Sequence, residues 1–420
     1  MVMTTSKTLT FSEDILMNVG FFLPDWDTFK HFYQALSPWK GLETLDKLWH
    51  LLSLGWTSGD VWPCLNLAKM DESSRSYAEA IARYYSKVAV SETTDLAWFC
   101  QLVLPTTRIV WRKSSVSFLN IKLLEPWKHT KIAYMELHKI HPRDLDEALS
   151  YLKYLEVVQL PYCTQAMALL VFQYAASSTD LREIILGNTV DCTITTSMAG
   201  DLIKWISSQP IRRLELEYFT WESQNQRLEV AKVAFRTPTI EIFRIKESLL
   251  TTEGVYNRTQ NSLSLTFDDL QSGRSTLYDA PPPMIPENLN KIIELFQPLC
   301  LSQLESLRIA GLSTKDYRSL WKKLTPFLQE APIKVLEVEH DKFHELDAVP
   351  LTEAIRNHRT LQVLDFSKSV VETAAAKTLL TCLPQSVEKI SLGMRRRYSV
   401  EILDYIRSPG SITVASRRLY

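Results

Sequence analysis

A six-residue pattern with apolar residues at its first, fourth and sixth places recurs along this chain, and a recurring unit restricts the fold more than any composition does. It reads LESLRI at 304–309, IKVLEV at 333–338, LQVLDF at 361–366 and VEKISL at 387–392. Further copies start at Ile132 (IAYMEL), Leu155 (LEVVQL), Leu181 (LREIIL), Ile211 (IRRLEL) and Ile240 (IEIFRI). Looser ones start at Trp62 (WPCLNL), Tyr85 (YSKVAV), Thr106 (TTRIVW), Ser262 (SLSLTF) and Pro409 (PGSITV). Most successive starts lie 21 to 30 residues apart, and the step from Ser262 to Leu304 is 42.

The spacing has a physical cause. The fourth and sixth residues alternate with period two, so both face one side of a short strand. Helix-like segments lie between the copies. Ser197 to Ser208 carries the stripe Met198, Leu202, Ile203, Trp205 and Ile206, behind Thr196 or Ser197 as the cap. Asp316 to Gln329 carries Tyr317, Leu320, Trp321, Leu324 and Leu328 behind Ser313. A strand and a helix per unit predict stacked repeats that share one core, with parallel strands on a concave face and helices on a convex one. The alternative is an ordinary doubly wound α/β domain. The many even copies and the scarcity of glycine, 11 in 420 residues, weigh against it.

The copies at Leu304, Ile333, Leu361 and Val387 resemble the L-x-x-L-x-L core of leucine-rich repeats, in their longer ribonuclease-inhibitor-like variety. The resemblance covers roughly residues 62 to 415. It implies an α/β leucine-rich repeat solenoid over residues 56–420. The Asn or Cys that ties the turn in that family is irregular here: Cys163 fits, whereas Thr189, Asp341 and Ser369 stand elsewhere. Residues 268–287, DDLQSGRSTLYDAPPPMIPE, read as a loop inserted in the array, with Tyr278 able to meet a partner.

Residues 1–55 carry a second resemblance. Phe11 to Leu36 reads FSEDILMNVGFFLPDWDTFKHFYQAL, with Ile15, Leu16, Val19 and Phe22 at helical spacing, a Leu23-Pro24-Asp25 break, and Thr28, Phe29, Phe32 and Leu36 after it. This resembles an F-box, although Leu9-Thr10-Phe11 stands where most F-boxes open with Leu-Pro. With DLIKWISSQP and EYFTWE in mid-chain, the layout is similar to F-box-like repeat proteins of water moulds. The resemblance implies a substrate-recruiting subunit of an SCF-type ubiquitin ligase, docking its adaptor through Ile15, Leu16, Leu23, Pro24, Phe29 and Phe32. The second reading is a scaffold whose N-terminal helices only cap the solenoid. Exposed Leu23, Pro24 and Phe29 would favour the first. The same residues packed around Trp49 and Trp62 would favour the second. Trp26, Trp39, Trp49, Trp56 and Trp62 read as the core joining those helices to the first repeat.

No catalytic chemistry is written on this scaffold. No phosphate-cradling loop or hydrolase elbow occurs. His340 and His344 lack the Glu of a metalloprotease helix and read as a solvated loop, and His138 and His141 read as turn residues. The six cysteines, Cys64, Cys100, Cys163, Cys192, Cys300 and Cys382, have no paired spacing and read as buried free thiols in a reducing compartment. Met394-Arg395-Arg396-Arg397 reads as a solvated turn. With a formal net charge of −1 there is no overall case for nucleic acid, and Gln165 to Ala176 is too short to span a bilayer. The expectation is a non-catalytic cytoplasmic or nuclear protein, with no metal, cofactor, nucleic acid or membrane, monomeric outside its complex. It binds a protein on the concave face through Glu136, Gln159, Glu183, Arg213, Glu215, Arg244, Arg308, Glu337, Asp365 and Lys389.

Overall fold

The computed structural model describes residues 13–23, 25–36, 43–91, 96–104, 106–113, 131–138, 140–247, 252–267, 304–311, 321–322, 324–326, 328–329, 331–340, 342–394 and 413–418. The chain divides into two compact units, Met1–Pro161 and Tyr162–Tyr420. Each is mixed α/β, with an open and mostly parallel sheet. The boundary read after residue 55 lies inside the first unit. The inserted loop 268–287 lies outside the described residues, as do Trp39, Pro24, Thr189's side chain, Asp341 and Arg395 to Arg397.

The first unit opens with α1 (Glu13–Phe21) and α2 (Trp26–Leu36), followed by α3 (Glu43–Ser53) and the short α4 (Ser58–Val61). Asp25 starts α2, accepting hydrogen bonds from the Thr28 amide and hydroxyl, both at 2.8 Å. The Thr28 amide is the larger cause that holds the Asp25 carboxyl below its ordinary value. Gly20 lets α1 lie close on α2: a Cβ there would stand 3.3 Å from Phe32 and 3.4 Å from Phe29. Strands β1 (Leu65–Asn66), β2 (Lys87–Val90), β3 (Arg108–Lys113), β4 (Ile132–Leu137) and β5 (Val157–Cys163) pair in chain order, all parallel. Parallel neighbours need crossovers. Helices α5 (Glu72–Ala82), α6 (Leu96–Leu102) and α7 (Pro142–Tyr151) supply three of them, the last capped by His141, whose Nδ1 accepts from the Arg143 amide.

The second unit holds β6 (Glu183–Ile194), β7 (Arg213–Trp221), β8 (Ile242–Glu247), β9 (Thr252–Asn257), β10 (Ser262–Phe267), β11 (Ser306–Ala310), β12 (Val335–Glu339), β13 (Val363–Phe366), β14 (Lys389–Met394) and β15 (Thr413–Arg418). They too pair in chain order, without the reversal that marks a doubly wound sheet. The helices are α8 (Gln165–Ser177), α9 (Thr196–Ser208), α10 (Gln224–Arg236), α11 (Glu345–Ile355) and α12 (Thr373–Thr381), with further helical residues within 321–329. Thr164 and Thr195 follow β5 and β6 immediately and cap α8 and α9, accepting from the Met167 and Met198 amides. Thr195 is thus the cap, one place before the pair suggested by sequence. Every clear six-residue copy contains a strand, and its fourth and sixth residues are buried, as Leu336 and Val338 or Leu364 and Phe366 show.

Among the described connections, those on either side of β9 depart from strand plus helix. Between β8 and β10 runs β9, antiparallel to both. Only four residues separate β9 from β10, too few for a crossover, so the chain can only turn back. Asn261, at φ 47°, makes that turn.

Buried polar side chains tie turns to neighbouring strands. The Ser369 hydroxyl, without exposed surface, donates to the Val338 carbonyl at 2.6 Å and accepts from the His340 amide at 2.9 Å. The Ser369 side chain thus ties its turn to the neighbouring strand. Ser369→Ala leaves both groups unsatisfied and should lower stability by about 1–3 kcal/mol, measured by urea denaturation. His340 is buried, with Nδ1 accepting from the Lys342 amide at 2.7 Å, so it belongs to this packing and not to a solvated loop.

His358 is another such tie. It is buried, and its Nδ1 accepts from the Leu361 amide at 3.1 Å. Burial pushes its pKa below the ordinary value of 6.5, against the carbonyls of Leu328 and Ala331. As pH falls through 6.5 the unfolded chain takes up a proton that the folded chain resists, so stability falls. The urea midpoint should therefore be lower at pH 5 than at pH 8, with a smaller difference in His358→Gln.

Candidate binding surfaces

In the first unit, an aromatic column fixes the N-terminal helices. Phe29 has no exposed surface and stacks on Trp62, with ring centroids 4.4 Å apart. Trp26 lies 5.4 Å from both Phe29 and Trp49, and Phe21 meets Tyr85 at 4.5 Å. The Tyr33 hydroxyl donates to Asp46 at 2.5 Å, tying α2 to α3; burial and then this carboxylate raise its pKa to about 12. Phe29 is therefore structural and not a docking residue, and Leu16 is likewise buried, both corrections to the adaptor set. Leu23 and Phe32 are half-exposed.

What α1 and the turn after it do present is Ile15, Val19 and Phe22, with 52, 47 and 89% of their surface exposed. Ile15 and Val19 stand at i and i+4 on one side of α1, and Phe22 lies in the turn immediately after it. Helical spacing marks Val19 and Phe22 as apolar without telling which side they face.

On the sheet of this unit, Tyr134, Glu136 and Gln159 alternate with buried neighbours. The Tyr134 hydroxyl donates to Gln159 at 2.5 Å, and His138 lies 3.3 Å from Glu136.

On the second unit's sheet, the residues between the buried ones form rows across the strands. One row runs Ile185, Glu215, Arg244, and a neighbouring one Gly187, Glu217, Lys246. Arg244 faces three carboxylates: Glu217 at 2.6 Å, Glu215 at 3.3 Å, and Glu253 on β9. Burial alone would lower its pKa, but Glu217, Glu253 and Glu215 outweigh burial and raise it. Arg213 also meets Glu215, at 2.6 Å, and Arg212 meets Glu183 at 2.8 Å. Glu215 is only 4% exposed, so it is a buried counter-ion here and not a contact for a partner, a further correction. Glu217 and Glu253 were missed because the first lies past the six-residue template on a longer strand, and the second lies on a strand without the pattern. Beside them Tyr218, at φ 65°, holds its ring under the Lys246 ammonium at 5.0 Å.

Further along, one row joins Arg308, Glu337, Asp365 and Ser391. Arg308 turns to Glu339, and Lys368 reaches the same carboxylate at 3.9 Å. Asp365 accepts from the Ser367 amide at 2.7 Å, and Lys389 stands exposed in register with Val363.

Among the described residues no group of three or more His, Cys, Asp or Glu side chains is placed to hold a metal ion. None of the described helices is long and apolar enough to cross a membrane. Cys163 and Cys192 are buried, and burial raises both thiol pKa values, Cys192 to about 11. Cys64 is half-buried and Cys382 exposed, unlike the buried thiols expected. No family model matches the chain, and no curated protein matches it.

Proposed function

We propose that the chain is a non-catalytic, protein-binding leucine-rich repeat protein of the cytosol or nucleus, each unit a run of repeat rungs. The observation that carries this reading is the outward sheet face of the second unit. There, rows of half-exposed polar and charged side chains stand in register on successive strands, already held in place by cross-strand ion pairs. A prearranged polar platform of mixed charge suits recognition of a protein surface. A photo-crosslinking residue at Val335 or Val363, on this face, should yield partner adducts in cells. The same residue at Ala374 or Lys377, exposed on α12, should not. Equal adducts at both places would refute the reading.

A second reading, an SCF substrate-recruiting subunit, is favoured by the exposed stripe Ile15, Val19 and Phe22. The buried Phe29–Trp62 stack favours the capping role, so this reading rests on the exposed stripe alone. Purified adaptor should bind the full chain and lose binding to an Ile15→Glu, Phe22→Glu double variant. Absence of wild-type binding leaves the N-terminal helices as a cap.

A further inference from the structure

The outward face of β12 to β14 carries two acidic side chains that no described cation neutralises. Glu337 and Asp365 are register partners on adjacent strands, a strand spacing of about 4.8 Å apart. Like charges placed directly opposite destabilise a sheet. Two of the nearby cations are committed elsewhere, and the third, Lys389, makes no ion pair with either carboxylate among the described residues. Arg308, the register neighbour of Glu337, is drawn to Glu339, and so is Lys368. Neither Glu337 nor Asp365 has an ion pair among the described residues. The neighbouring Ser391 continues the same row and is only 7% exposed. No described group hydrogen-bonds its hydroxyl, so an unpartnered hydroxyl on a residue more than nine-tenths buried stands in the row beside the two carboxylates. The core side of β14 is Ile390 and Leu392, both fully buried, which leaves Ser391 on the acidic face.

We propose that Glu337, Asp365 and Ser391 form a docking site for a cationic side chain, Lys or Arg, on the protein partner. The inference rests on the outward face being the recognition surface and adds the chemistry of what it recognises. Two carboxylates and a hydroxyl offer the acceptors that an ammonium or guanidinium needs, and a cation between them removes their mutual repulsion. Lys389, exposed at the edge of the site, opposes such a ligand and sets how selective it is.

The test is fluorescence anisotropy of a labelled hexa-arginine peptide with the full-length chain. Glu337→Gln, Asp365→Asn should weaken binding about tenfold, the scale of one well-made charge contact. Lys389→Gln should tighten it about threefold, the scale of an exposed charge. Glu353→Gln, an equal charge change on α11, should leave it unchanged. Matching urea midpoints show that each variant is folded. The proposal is overturned if the wild-type chain does not bind, or if the double variant binds like the Glu353 control. Crosslinking at Val335 or Val363 together with an unaffected double variant would discard cation docking and keep the recognition surface. Loss of both would discard the surface itself.

Discussion

Phe29→Ala is expected to lower the stability of the first unit by about 3–5 kcal/mol, the range for removing a fully buried aromatic ring. The ring fills the space between α1, α2 and Trp62, and Gly20 has no side chain to fill the hole it would leave. For a unit of this size the melting point should fall by about 10 °C. Near-ultraviolet circular dichroism is the measurement, because Trp26, Trp49 and Trp62 lose their fixed surroundings together. Phe22→Ala, removing a ring that is 89% exposed, is the matched control and should leave the melt within about 0.5 kcal/mol of wild type. A small loss in Phe29→Ala would mean that the helices are not joined through this column.

Arg244→Met should lower the stability of the second unit by about 3 kcal/mol, the low end for removing one member of a buried ion pair. Methionine keeps much of the volume and abolishes the charge, leaving Glu215, Glu217 and Glu253 facing one another. Glu215 suffers most because its side chain is 5% exposed and water cannot take the place of the guanidinium. Adding Glu215→Gln to Arg244→Met should restore part of the loss, because a neutral amide is not repelled by Glu217 and Glu253 and costs less to bury; the lost pair with Arg213 keeps the recovery partial. Urea denaturation of both single variants and the double gives the coupling directly. Additive losses would show that the cluster does not act as a unit.

The strands were legible because each copy of the pattern places two apolar residues on the buried side at period two, and burial is what a strand of this kind needs. LESLRI, IKVLEV and LQVLDF became β11, β12 and β13 with Leu307, Ile309, Leu336, Val338, Leu364 and Phe366 inside. β9 was not legible. TEGVYN has no such alternation, and it is a strand only because β8 and β10 stand ready on both sides. The surfaces were half legible for a similar reason. Helical spacing gathers Ile15, Val19, Phe29 and Phe32 as apolar, but which of them is covered depends on Trp62, distant in sequence. Glu215 looked like any outward residue until Arg213 and Arg244 closed over it. Ser369 looked like a break in the repeat signature, and its hydroxyl ties its turn to the neighbouring strand.

The reversal at β9 bears on how the second unit folds. Most neighbouring strands there are parallel, so their contacts wait for a crossover to close. The meander β8–β9–β10 closes through short links, and short links have the lowest loop-closure entropy. Local contacts form early, so this meander is the expected nucleus, from which ordering spreads to the strands on either side. The ion pair between Arg244 and Glu253 spans its first turn. Losing it should therefore slow refolding more than it hastens unfolding.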